Sequence, residues 1–71
     1  MDKKLVDKTV NLDLVGVDGN AYAIMASFKR QATKEGWSTK EIDLVLEEAQ
    51  SKDYNHLLST ILDYCEVENR D

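Results

Sequence analysis

The stretch that decides the fold reads GWSTKEI and occupies residues 36–42. Gly36 is the residue type that most readily ends a helix in the left-handed conformation. Ser38 and Glu41 form the S-x-x-E pattern of a capping box, in which each side chain bonds the backbone amide of the other residue. Trp37 and the isoleucine that ends the stretch flank this pattern as a hydrophobic staple. Seven residues therefore predict where one helix ends and the next begins.

Apolar periodicity predicts a helix on each side of this joint and a third helix further on. Apolar residues recur with the spacing of an amphipathic helix in residues 20–36, 38–50 and 53–66. Asp53 is expected to cap the third helix, whereas residues 67–71 are expected to fray. The three apolar stripes are Ala21, Ile24, Met25, Phe28 and Ala32; Ile42, Val45, Leu46 and Ala49; and Tyr54, Leu57, Leu58, Ile61, Leu62 and Cys65.

Before the helices, residues 3–15 contain a period of two that is typical of a half-buried strand. Residues 3–7 either extend this strand or fold back on it as a hairpin; otherwise its open edge suits a second copy of the chain. The sequence therefore predicts one α+β domain over residues 1–71, with an N-terminal strand or short hairpin followed by three helices. The inward set is Val10, Leu12 and Leu14, and the outward set is Thr9, Asn11 and Asp13.

The stretch GVDGN, residues 16–20, separates the strand from the first helix. It lacks the glycine spacing and the lysine of phosphate-binding loops, and its valines replace the alternating oxygen ligands of a calcium loop. Asn20 or Asp18 is expected to cap the helix, with Gly16 and Gly19 relieving the turn. We interpret the stretch as a structural joint.

The composition of the chain limits the cellular location and the oligomeric states that we expect. The chain has 71 residues, a net charge of −5, one cysteine and one histidine. Its second half is acidic, since residues 37–71 hold three Lys/Arg against nine Asp/Glu. A single cysteine without a disulfide framework is typical of a reducing compartment, and no apolar run is long enough to cross a membrane. We expect a cytoplasmic protein, in the host cytoplasm if viral, and a homodimer is one option for stabilising so small a chain.

Catalytic and metal chemistry lack the necessary residues. Cys65 and His56 are nine residues apart, about half a turn out of phase on one helix, so they cannot meet within one copy. Cys65 is expected in the core and His56 in solvent. One histidine, one cysteine and scattered carboxylates supply no metal-ligand spacing. We therefore expect no catalytic residue, no metal and no cofactor, and we do not expect an enzyme.

One basic cluster supports an alternative function. Lys29, Arg30, Lys34 and Lys40 lie near Trp37 in the sequence. Positive charge beside an aromatic ring is the pattern of a nucleic-acid contact. The same cations also suit the carboxyl end of the first helix, and the staple already uses the tryptophan. RNA or DNA contact through these five residues remains the alternative hypothesis.

Two features fall outside the apolar stripes and are candidates for binding a partner. Leu44 lies on the polar side of the second helix. On the first helix, Ala23, Ala26, Ser27 and Arg30 form a face of mostly small residues where long polar ones are expected. Small residues allow another backbone to approach closely. Both features suit a protein partner or a second packing face within the domain.

Residues 11–65 resemble a family of short proteins from tailed bacteriophages and bacteria. The matching pieces are VDGNAYAIMASFKRQA, EGWSTKEID and SKDYNHLLSTILDYC. The resemblance brings no catalytic residues and implies a phage-type accessory protein. The resulting hypothesis is a small non-enzymatic module that binds a host or phage protein.

Overall fold

Three helices form the framework of the part of the chain that the structure describes. A computed structural model describes residues 6–14 and 19–66, in which the helices are α1 (Ala21–Lys34), α2 (Thr39–Ala49) and α3 (Tyr54–Asp63). These two ranges contain no β-strand. The α+β prediction is therefore wrong, and the described fold is all-α. The predicted tail, residues 67–71, lies outside the described ranges.

In place of the predicted N-terminal strand, the described residues form one isolated β-bridge. Val10 pairs with Cys65 in parallel orientation. The Val10 amide donates to the Tyr64 carbonyl at 2.8 Å, and the Glu66 amide donates to the Val10 carbonyl at 2.7 Å. A strand needs a neighbour that extends over several residues, whereas helix backbones already bond internally. Residues 3–5 of the predicted hairpin lie outside the described ranges.

The alternation of apolar and polar residues still matches which N-terminal side chains are buried. Val10 is fully buried, and Leu12 and Leu14 are half-buried against the core. Asn11 and Asp13, between them, are exposed. An extended backbone alternates its side chains whether or not it joins a sheet. The pattern thus predicted the direction of the side chains correctly but not the hydrogen-bonding partner.

The joint between α1 and α2 has the predicted double cap. Gly36 is left-handed, with φ of 94°, and the Trp37 amide donates to the Ala32 carbonyl at 2.9 Å, which closes a Schellman motif. Ser38 Oγ accepts from the Glu41 amide at 3.1 Å, and Glu41 Oε1 accepts from the Ser38 amide at 2.8 Å. The capping box is confirmed.

Trp37 connects this joint to the centre of the core. Its ring meets Phe28 of α1 edge-on at 5.4 Å and Tyr64 at 6.2 Å between centroids. Such pairs stabilise a core beyond their buried area. The third helix was predicted to reach residue 66, but it ends at Asp63, so Tyr64 is its C-cap and Cys65 lies beyond it. Tyr64, which is absent from the predicted stripe, is a core residue.

The N-terminal segment, residues 6–14, is fastened to the ends of all three helices. Lys8 Nζ lies 2.8 Å from Glu41 Oε1 at the start of α2. The Asn11 amide donates to Glu35 Oε2 at the end of α1 at 2.8 Å, and the Val10 bridge lies at the end of α3. One short segment thus connects the start of α2 with the carboxyl ends of α1 and α3.

The turn before α1 differs from its prediction in one respect. Asn20 is the N-cap, and its Oδ1 accepts from the Tyr22 amide at 2.7 Å. Gly19 does not have a positive φ; among the described residues only Gly36 does. A Cβ on Gly19 would lie 3.9 Å from the Tyr54 hydroxyl, an ordinary contact. The expected backbone role of Gly19 is therefore wrong, while Gly16 and Asp18 lie outside the described ranges.

Replacing each glycine by alanine tests this distinction. Gly36→Ala should lower the free energy of unfolding by about 1 kcal/mol, because a side chain disfavours the left-handed conformation. Gly19→Ala is the matched control and should change it by less than about 0.5 kcal/mol. Urea unfolding followed by circular dichroism measures both. Equal losses would contradict the assignment of the two backbone conformations.

A second prediction concerns pH. The hydrogen bond from Lys8, and next that from the Ser38 amide, lower the pKa of the Glu41 carboxyl below its ordinary value. A lowered pKa in the folded state stabilises the fold above the unfolded pKa, and this stabilisation disappears as the pH falls through the folded value. Wild type should therefore exceed Lys8→Met in stability at neutral pH, and the difference should shrink in acid.

Urea unfolding at a series of pH values measures this difference. Lys52→Met is the control, because Lys52 is exposed and makes no ion pair within the described ranges. If the difference in unfolding free energy between wild type and Lys8→Met stays constant into strong acid, the Glu41 carboxylate does not hold the N-terminal segment in place.

Candidate functional site

Leu44 lies where the sequence placed it, on the surface of α2, with 37% of its area exposed. It shares a stripe with Glu41 and Glu48, three residues before it and four after it. Glu41 contacts Lys8, and Glu48 contacts His56 of α3. The leucine therefore lies beside two polar links to neighbouring segments, on the side of α2 away from its buried residues.

The small-residue face of α1 is only partly open. Ala26 and Arg30 are exposed, whereas Ala23 and Ser27 are half-buried. The half-buried pair lies on the flank of α1 that also carries Gln31, whose amide donates to the same Glu35 oxygen that holds the N-terminal segment. This face and Leu44 are on different helices. The structure does not bring the two predicted patches together.

The basic candidates do not form a nucleic-acid surface with the tryptophan. Trp37 is 7% exposed, so its ring cannot stack on a base. Lys8 Nζ lies 6.0 Å from the ring centroid on one side. Lys29 and Lys34 are five residues apart on α1, about 140° around its axis, so they point to different flanks. The five candidates therefore do not share one surface, since Trp37 is buried and Lys40 is on another helix.

His56 was expected in solvent, but it is engaged between two helices. Its Nε2 lies 2.8 Å from Glu48 Oε2 and 3.1 Å from the Glu48 carbonyl oxygen. Both acceptors lie in the last turn of α2, so the imidazole fastens α2 to α3. The prediction that His56 is solvated is wrong. The position of a residue around its own helix axis does not show that its side chain reaches a neighbouring helix, here α2.

Cys65 is half-buried beside Val10 rather than on a helix. Burial raises the pKa of its thiol to about 11. At neutral pH the thiol is therefore protonated, and a protonated thiol is a weak nucleophile. Across residues 6–14 and 19–66, no three metal-ligating side chains come together.

A different surface, absent from the sequence predictions, combines exposed aromatics with an apolar floor. Tyr22 is 79% exposed and Tyr54 45% exposed. They border a groove of about 290 Å³ between the start of α1 and the turn from α2 to α3. We call it the tyrosine groove; its lining residues are Ala21, Tyr22, Met25, Ala49, Gln50, Lys52, Asp53, Tyr54 and Leu57.

Helix caps position both tyrosines. Asn20 caps α1 and fixes the amide of Tyr22, and Asp53 caps α3 by accepting from the His56 amide at 2.9 Å. The Tyr54 hydroxyl donates to the Gly19 carbonyl at 2.6 Å, which joins the two helix starts. The groove is therefore built on short, hydrogen-bonded turns rather than on a long loop.

One sequence signal could have revealed the groove. Tyr22 lies about 100° from the centre of the apolar stripe of α1, where a polar side chain is the ordinary choice. Tyr54 was assigned to the core stripe of α3 and is instead nearly half exposed. The groove itself depends on three elements meeting, which no single helix pattern describes.

Within the described ranges, no helix is long and apolar enough to cross a membrane. No family model, curated protein or solved structure matches the chain.

The hydroxyl of Tyr54 gives a test of how the groove is held. Tyr54→Phe should lower the free energy of unfolding by about 1 kcal/mol, the usual value of a hydrogen bond. Tyr22→Phe is the control, since no described residue bonds its hydroxyl, and should change it by less than about 0.5 kcal/mol. Thermal and urea unfolding measure both. Indistinguishable variants would mean that the Tyr54–Gly19 bond does not hold the two helix starts together.

Proposed function

We propose that the chain is a small, non-enzymatic protein-binding module that uses the tyrosine groove. The observation that carries the proposal is the exposure of Tyr22, 79% of its area, beside an apolar floor that includes Met25 and Leu57. Large exposed aromatic side chains next to an apolar depression are typical of the centre of a protein interface. The partner fitting this chemistry is a folded protein or peptide with an apolar side chain as its anchor.

The composition of the groove supports this partner. Tyrosine offers a large contact area at low cost in side-chain entropy, and its hydroxyl tolerates water before binding. Gln50, Lys52 and Asp53 supply a polar rim on one side. A polar rim around an apolar centre is the usual arrangement in protein interfaces. The capped helix starts keep the tyrosines in place, which reduces the entropy lost on binding.

The remaining parts of the proposal rest on the sequence. The resemblance to phage and bacterial proteins supports a phage-type accessory protein that binds a host or phage protein in the cytoplasm. The high thiol pKa of Cys65 and the engagement of His56 with Glu48 support a role without catalysis. RNA or DNA binding is less well supported, because Trp37 is buried and the lysines of α1 diverge.

Partner capture with a groove variant tests the proposal. The tagged chain, Tyr22→Ala and the control Leu62→Ala are each exposed to bacterial lysate, and captured proteins are compared quantitatively. Leu62 is 51% exposed and does not line the groove. Affinities for the captured protein, once purified, are then measured by calorimetry. Tyr22→Ala should weaken binding at least about 30-fold, as expected at the centre of an interface, while Leu62→Ala should change it little.

Two results would count against the groove. A partner that binds Tyr22→Ala as tightly as wild type would use another surface. Salt-sensitive binding of tRNA or single-stranded DNA, with no protein captured, would favour the nucleic-acid alternative. Circular dichroism of Tyr22→Ala checks that the fold is kept, which its exposed position leads us to expect.

A further inference from the structure

Helices α1 and α2 carry opposite charge. Helix α1 has three basic residues and no acidic one, whereas α2 has four acidic residues and one basic one. On the outward side of α1, Arg30 and Lys34 are four residues apart, and on that of α2, Asp43 and Glu47 are also four apart; all four are exposed. Each helix thus presents a like-charged pair one turn long, and the two pairs have opposite sign.

These pairs are unfavourable within a single copy. Like charges four residues apart destabilise a helix by a few tenths of a kcal/mol. The ion pairs found in the described ranges are Lys8–Glu41 and His56–Glu48, so neither outward pair is neutralised there. The chain thus carries one pair of positive side chains and one pair of negative side chains with the same spacing. The positive pair of one copy is therefore complementary to the negative pair of another.

We propose that a second copy of the chain docks its acidic face on the basic face of the first, with the two helices antiparallel. The basic face is Arg30 and Lys34 of α1, and the acidic face is Asp43, Leu44 and Glu47 of α2. Because both pairs span one turn, Arg30 meets Glu47 while Lys34 meets Asp43. The antiparallel orientation also opposes the two helix dipoles.

The exposed leucine of the acidic face fits the same arrangement. In this register Leu44 lies across from the aliphatic stems of Arg30 and Lys34, which cover apolar surface readily. Lys40, the basic residue of α2, extends past Lys34 toward the carbonyl end of α1, where a cation is favourable.

Each copy offers one basic face on α1 and one acidic face on α2. The contact joins copies head to tail when the two faces of one copy meet different neighbours, and it closes a pair when both meet the same neighbour. It does not involve the tyrosine groove, so its failure would leave the proposed function standing.

Charge reversal on one face at a time tests the contact. The molar mass of wild type is measured by sedimentation equilibrium from about 20 µM to about 1 mM, the range of weak association. Wild type should associate with rising concentration at low salt and dissociate in about 1 M NaCl, where the Debye length is about 3 Å. Arg30→Glu/Lys34→Glu and Asp43→Lys/Glu47→Lys should each weaken association at least about tenfold.

The decisive measurement is an equal mixture of the two reversed variants. Each is repelled by its own kind, but the intact acidic face of one fits the intact basic face of the other, so the mixture should associate. A wild type that stays monomeric, reversed variants that associate like wild type, or a mixture that stays monomeric would each overturn the proposal. If a reversal unfolds the chain, the neutral variants Arg30→Gln/Lys34→Gln and Asp43→Asn/Glu47→Gln replace it, each again expected to lose association.

Discussion

The double cap around Trp37 is the constraint on which the rest of this small fold depends. The Schellman motif fixes the Trp37 backbone to the end of α1, and the capping box begins α2 at the next residue. With the backbone held from both sides, the indole packs into the core against Phe28 and Tyr64. Tyr64 in turn sets the end of α3, where Val10 forms its bridge. Local helix-end chemistry thus fixes the long-range packing.

Glu41 links the same joint to the N-terminal segment. One carboxylate oxygen accepts from the Ser38 amide and from Lys8, so the residue that begins α2 also holds the segment that covers the core. A chain with no disulfide in the described ranges and a modest core needs such shared contacts, since a domain of about 70 residues buries little apolar surface. Val6 and Val10 extend that core from outside the helices.

The features predictable from the sequence are those that neighbouring residues decide. The caps at Ser38 and Asp53 depend on bonds between residues three apart, so sequence spacing reveals them. The strand prediction failed because an alternating pattern shows only which way the side chains point. It does not identify the backbone partner of Val10, which is 55 residues away in the sequence. The tyrosine groove escaped prediction for the same reason: Tyr22 and Tyr54 become neighbours only when two helix starts meet through the Gly19 carbonyl.

Helix α1 serves three purposes because successive stripes of one helix face different directions. Ile24 and Phe28 face the core, Tyr22 faces the groove at the first turn, and Arg30 and Lys34 point outward near the last. Tyr22 and Arg30 are about 12 Å apart along the axis, at 1.5 Å per residue. That separation exceeds the reach of direct contact and is longer than the Debye length at physiological salt. A partner in the groove and a second copy on the basic face therefore contact different residues of the same helix, and a substitution on one surface should leave the residues of the other in place.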